Sequence, residues 1–74
     1  MDIIKLDCSG MICPDPLNSL RSTLRNSISG QQVMLISDDP ASLREIPDFC
    51  AFIGHKLISM PSAPDEHVFV VQKK

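Results

Sequence analysis

Ile4-Lys5-Leu6-Asp7-Cys8-Ser9-Gly10-Met11-Ile12-Cys13-Pro14-Asp15-Pro16-Leu17 is where the chain exchanges one apolar period for another. Ile4, Leu6 and Cys8 alternate with Lys5 and Asp7, the two-residue period of a half-buried strand that ends at Ser9-Gly10. From Pro14 onward Leu17, Leu20, Leu24 and Ile28 recur at helical spacing, and Gly30 supplies a stop. Cys13 stands at the junction. Pro14 pushes the residue before it out of the helical region, an N-cap takes that extended geometry, and proline is favoured at the first helical position. Cys13 therefore reads as the N-cap of the first helix. The positive end of the helix dipole favours thiolate over thiol, the form that attacks and carries sulfur. Pro14 and Pro16 lack an N–H, so few direct hydrogen bonds hold the sulfur, and the Asp15 carboxylate opposes the thiolate.

Downstream, Val33-Met34-Leu35-Ile36 is a continuous apolar run between Gln32 and Ser37, as expected of an interior strand. Asp38-Asp39-Pro40 marks a second helix start, an acidic cap before a proline. Pro47 is expected to break a helix interior, which predicts a short opening turn over about 40–44 and a main helix from near Ile46 to Ile53, ended by Gly54. Leu43, Ile46, Cys50, Ile53 and Leu57 follow one helical face with Phe49 beside it. Lys56 to Met60 and His67 to Gln72 read as strands joined by the rigid, polar loop Pro61-Ser62-Ala63-Pro64-Asp65. The order is βαβαββ. Two helices on one face of a four-stranded mixed sheet, an α/β two-layer sandwich, satisfies it most economically, and residues 1–74 are expected to form a single domain.

Composition narrows the function classes. At 74 residues with 43% apolar and 22% charged residues, the chain has the make-up of an ordinary soluble domain. No apolar run approaches the roughly 20 residues of a bilayer span. The start Met1-Asp2-Ile3-Ile4-Lys5 lacks the layout of an export signal, so a cytoplasmic location is expected. Cys8, Cys13 and Cys50 are an odd set, which suits reduced thiols; with His55 and His67 scattered, no metal site is expected. A net charge of -2 gives no general attraction to nucleic acid.

Two motifs in register carry a resemblance that covers nearly the whole chain. Leu6-Asp7, Gly10 and Cys13-Pro14-Asp15-Pro16 form the first; Asp38-Asp39-Pro40-Ala41, Ile46-Pro47, Phe49-Cys50, Phe52, His55 and Leu57 form the second. Together they resemble the TusA/SirA-like family of small sulfur carriers. The resemblance implies a two-layer α/β sandwich and a sulfurtransferase in which Cys13 accepts sulfane sulfur as a persulfide from a cysteine desulfurase and hands it to an acceptor cysteine. Similar members feed tRNA 2-thiouridine formation, and relatives serve molybdenum-cofactor, selenium or sulfur-oxidation routes. The implied donor is a pyridoxal-phosphate enzyme, whereas no cofactor is expected for this chain. Ile12 stands where many tRNA-pathway members have a basic residue, which removes one stabiliser of the thiolate and one docking charge. Cys8 lies where a small non-thiol residue is expected.

The remaining candidates have plainer readings beside the functional ones. Cys8 continues the inward strand phase and Cys50 lies on an apolar stripe, so both read as core residues; Cys8 as a resolving thiol is the minor alternative. Arg21 and Arg25, one turn apart, and Phe52, off the main stripe of the second helix, are candidates for partner binding. Arg25 also suits the helix dipole, and Phe52 also suits a core edge. His55 and His67 read as surface or strand-end residues. The competing classes are a thiol redox regulator, which needs a second cysteine, and a protein- or RNA-binding module, which tolerates Cys13→Ser. A carrier that shows its thiol to a donor and then an acceptor is expected to be a monomer.

Overall fold

The computed structural model describes residues 2–10, 15–63 and 66–74. Its elements run β1 (Ile4–Asp7), α1 (Asp15–Arg25), β2 (Gln32–Ile36), α2 (Ser42–Ile53), β3 (Lys56–Ser59) and β4 (Val68–Gln72). They form a four-stranded mixed sheet in the order β1-β2-β4-β3. β1 and β2 are parallel, with Ile4 opposite Val33 and Leu6 opposite Leu35. β4 is antiparallel to both β2 and β3, so it slots between two strands that run the same way. Sequence character explains the order. Val68-Phe69-Val70-Val71 is apolar throughout and suits an interior place, whereas β3 is short and mostly exposed, with an irregular register between Leu57 and Ser59. A short, bulged edge resists pairing with another chain.

Both helices cover the same face. Leu20 and Leu24 of α1 and Ile46, Phe49 and Cys50 of α2 meet Val33, Leu35, Phe69 and Val71 in one buried cluster, with Cys8 at its end. Ile4, Leu6, Leu17, Ile53 and Leu57 pack around it. The fold is thus the expected two-layer α/β sandwich.

Four details differ from the sequence expectations. α1 ends at Arg25, before Gly30, and leaves Ile28 65% exposed. Ser27 stops the helix by turning its hydroxyl back to the Thr23 carbonyl at 2.6 Å, a local bond that competes with helical propagation. α2 runs unbroken through Pro47. The loss of about 3 kcal/mol for an interior proline is offset by burying Ile46 and Phe49, each contributing about 1.5–3 kcal/mol. Leu43 does not join the buried stripe and is 47% exposed, because it belongs to the opening turn, whose amides at Ser42, Leu43 and Arg44 bond three residues back. That turn otherwise forms as read. Asp39 Oδ1 accepts the Ala41 N–H at 3.1 Å, a local bond that shapes the turn before the helix; the N-cap of α2 is Ala41, with no side-chain capping bond, so the acid before proline does not cap the helix itself. Gly54 ends α2 in the left-handed conformation at φ 97°, its N–H bonded to the Cys50 carbonyl.

Candidate active site

Because β1 and β2 are parallel, the β1–α1 and β2–α2 loops leave the sheet at the same end, the carboxyl edge where open α/β sheets place their sites. The Cys8 N–H bonds the Ile36 carbonyl at 2.8 Å and extends the ladder by one residue. Asp7 Oδ1 then accepts the Ser9 N–H at 3.1 Å and turns the chain. Ser9, through its hydroxyl and its amide, with a smaller contribution from Lys5, holds the Asp7 carboxyl below its usual range despite a small opposing effect of desolvation. Gly10 follows at φ 80°, a region that glycine enters without the Cβ penalty. Its N–H points at the carboxylate of Asp38, 3.1 Å from Oδ1 and 3.3 Å from Oδ2.

The opposing loop is anchored from below. Ser37 donates its N–H to the His67 carbonyl at 2.9 Å, and its hydroxyl pairs with that of Ser42 at 2.8 Å, both side chains buried. A cleft of about 250 Å³ opens beside it, between Pro40 and Leu43 on one wall and Pro61 and His67 on the other.

Cys13 and Pro14 lie outside the described residues, and with them the expected N-cap. α1 begins at Asp15, which is exposed, two positions after Cys13 in the sequence; Pro16, in the first turn, is fully buried. Cys8 is 2% and Cys50 1% exposed. Burial pushes the Cys50 thiol up from its ordinary pKa, which keeps it protonated and unreactive at neutral pH. Among the described residues no group of three or more His, Cys, Asp or Glu is placed to hold a metal ion.

A family model described as Sulfurtransferase TusA matches residues 4–73. The chain belongs to this family. Membership makes it a sulfur-carrier sulfurtransferase, which engages a sulfur donor and a sulfur acceptor in turn. No helix among the described residues is long and apolar enough to cross a membrane.

A second region lies along the helices of this TusA-family chain. Arg21, Arg25 and Phe52, drawn from two helices, line one cleft of about 500 Å³ together with Phe49, Lys73 and Lys74. Arg21 stacks its guanidinium 5.7 Å from the Phe49 ring centre, and Phe52 is 88% exposed, so it is no core-edge residue. The lysines are spoken for. Lys73 Nζ donates to the Ser27 carbonyl and Lys74 Nζ to the Ile53 carbonyl, each at 2.8 Å, so that a cation sits at the negative end of both helices. His55 Nδ1 accepts the Lys74 N–H at 3.2 Å, and desolvation, then Lys74 and Lys73, lowers its pKa. Sequence reasoning missed Asp38 as a loop partner and the lysines as helix caps. Nothing in the sequence marks them, since each contact joins residues far apart in the chain.

Proposed function

We propose that the chain is a persulfide carrier in which Cys13 takes sulfane sulfur from a cysteine desulfurase and relays it to an acceptor cysteine; tRNA 2-thiouridine formation is one end use that such a relay can serve. The observation that carries this reading is the family match over residues 4–73, which spans Cys13-Pro14-Asp15-Pro16. In the loading step the Cys13 thiolate attacks the outer sulfur of the donor persulfide; the donor's S–S bond breaks and its cysteine leaves as a thiolate. The new S–S bond is on Cys13. In the unloading step an acceptor thiolate attacks the outer sulfur and Cys13 leaves. Each exchange is redox-neutral, and one thiolate is consumed and one released. Attack gains from a basic thiolate and departure from an acidic one, so a moderately lowered pKa serves both directions. The start of α1, with Asp15 opposing the dipole, supports such a moderate shift.

Arg21, Arg25 and Phe52 are proposed as the docking surface for a partner protein. Their shared cleft has no Asp or Glu in its lining among the described residues, and a large exposed aromatic beside guanidinium groups is the usual chemistry of a binding hot spot. With a rise of about 1.5 Å per residue, Arg25 stands about 15 Å along α1 from Asp15. A partner docked there has room to present its own thiol at the other end of the helix. Burial of Cys8 and Cys50 weighs against the redox-regulator alternative, which needs a second accessible thiol. The net charge of -2 weighs against direct nucleic-acid binding, and the proposed working form is a cytoplasmic monomer.

The test is incubation with a cysteine desulfurase and free cysteine, followed by intact mass and peptide mapping. Addition of one sulfur atom at Cys13, absent from Cys13→Ser, is the expected outcome. Sulfur on another residue, or none, overturns the reading.

A further inference from the structure

The loop that leads into Cys13 is tied to the rest of the molecule by a charge from a different loop. Gly10, three residues ahead of Cys13, donates its N–H to the Asp38 carboxylate, while Asp38 belongs to the β2–α2 connection. Asp38 is exposed, and it is not what holds α2 in place: Asp39 shapes the opening turn through the Ala41 N–H and the buried Ser37–Ser42 pair fixes its base. The turn at Ser9 is likewise closed independently, by Asp7. The Asp38 bond is therefore additional to what each loop needs for its own shape. Its specific effect is to join the two. A hydrogen bond to a charged acceptor is among the stronger ones, and an orienting contact of this kind fixes where the following residues begin.

We infer that Asp38 is a positioning residue for sulfur transfer: its carboxylate latches the backbone at Gly10 to the β2–α2 loop and so sets the approach of Cys13 to the donor and acceptor thiols. This rests on the carrier role proposed for Cys13. Transfer between two cysteines is sensitive to such placement, because both sulfurs must meet in line with the bond that breaks. Asp38 itself touches no reacting atom.

Three variants test it against wild type, with sulfur transfer from a cysteine desulfurase as the kinetic readout and amide hydrogen exchange at Gly10 as the structural one. Asp38→Ala removes the acceptor and is expected to speed exchange at Gly10 about fivefold while leaving Ser9 exchange and the melting temperature near wild type. The same variant should lower the turnover of transfer about tenfold, with KM for the donor little changed. Asp38→Asn keeps an acceptor oxygen and should recover transfer to within about twofold of wild type. Cys13→Ser is the control for the underlying reading. If it still transfers sulfur, the carrier role fails. If it is inactive while Asp38→Ala transfers at the wild-type rate, the latch alone is wrong. An Asp38→Asn variant as slow as Asp38→Ala also overturns the latch.

Discussion

Cys8 and Cys50 are both buried in the core, whereas Cys13 is the proposed carrier, so on that reading their reactivities should separate. Alkylation needs an accessible thiolate, which Cys8 and Cys50 lack inside the core. Native protein is expected to take one equivalent of iodoacetamide, at Cys13, and the Cys13→Ser protein none until it is unfolded, when two thiols react. Mass mapping of the labelled peptides checks this; early label on Cys50 would mean that the core opens there. His55 gives a second residue-scale expectation. Its pKa is lower in the folded than in the unfolded chain, so the unfolded state binds more protons as the pH falls through about 6.5. The stabilising contribution is present above that value and is lost below it, when protonation removes the acceptor for the Lys74 N–H. Melting temperature followed from pH 7.5 to pH 5 should fall less steeply in His55→Gln than in wild type. Equal slopes would assign the acid loss to other groups.

At the level of the elements, both helices depend on how they end. α2 stops where Gly54 adopts φ 97°, with its N–H returned to Cys50. An alanine there would find room, since its Cβ meets the Lys74 Cδ at an ordinary 3.5 Å, yet its backbone would be strained. Gly54→Ala is expected to cost about 1–2 kcal/mol in urea unfolding, with the sulfur-transfer rate unchanged. A neutral result would mean that the chain can end α2 another way. α1 ends through side chains instead. Ser27 bonds the Thr23 carbonyl, and Lys73 reaches the Ser27 and Arg25 carbonyls from the far side of the sequence. That long-range cap is why the apolar spacing overshoots to Ile28: the period continues in the sequence, but the last carbonyls are already satisfied elsewhere.

On the proposed reading, reacting and docking functions lie at opposite ends of α1. One end carries the two joined loops ahead of Asp15; the other gathers Arg21, Arg25 and Phe52 around a cleft whose lining includes Lys73 and Lys74, just after β4. If the proposed docking surface is right, Phe52→Ala and Arg25→Glu should each slow sulfur transfer from a cysteine desulfurase about tenfold. Loading from inorganic polysulfide, which needs no docking, should stay at the wild-type rate. Both side chains are exposed, so the melting temperature should hardly move. Equal slowing with polysulfide would place the effect at Cys13 and remove the docking role.

Local rules sufficed for much of this chain. The period switch at Gly10, the apolar run of β2, the turn at Asp39-Pro40 and the glycine stop of α2 each depend on residues within one turn or strand of one another, and they yielded the element order and the sandwich. Strand order was settled by packing: β4 lies between β2 and β3 because its wholly apolar run needs cover from neighbours on both sides, a competition among strands that no single segment contains. The continuity of α2 through Pro47 was settled the same way, since burial of Ile46 and Phe49 against the sheet outweighs a local penalty. Asp38 meeting Gly10, and Lys73 and Lys74 meeting the helix ends, are likewise tertiary facts. A hydrogen bond between distant residues leaves no trace in the periodicity of either, and exists only once the core has brought their segments together.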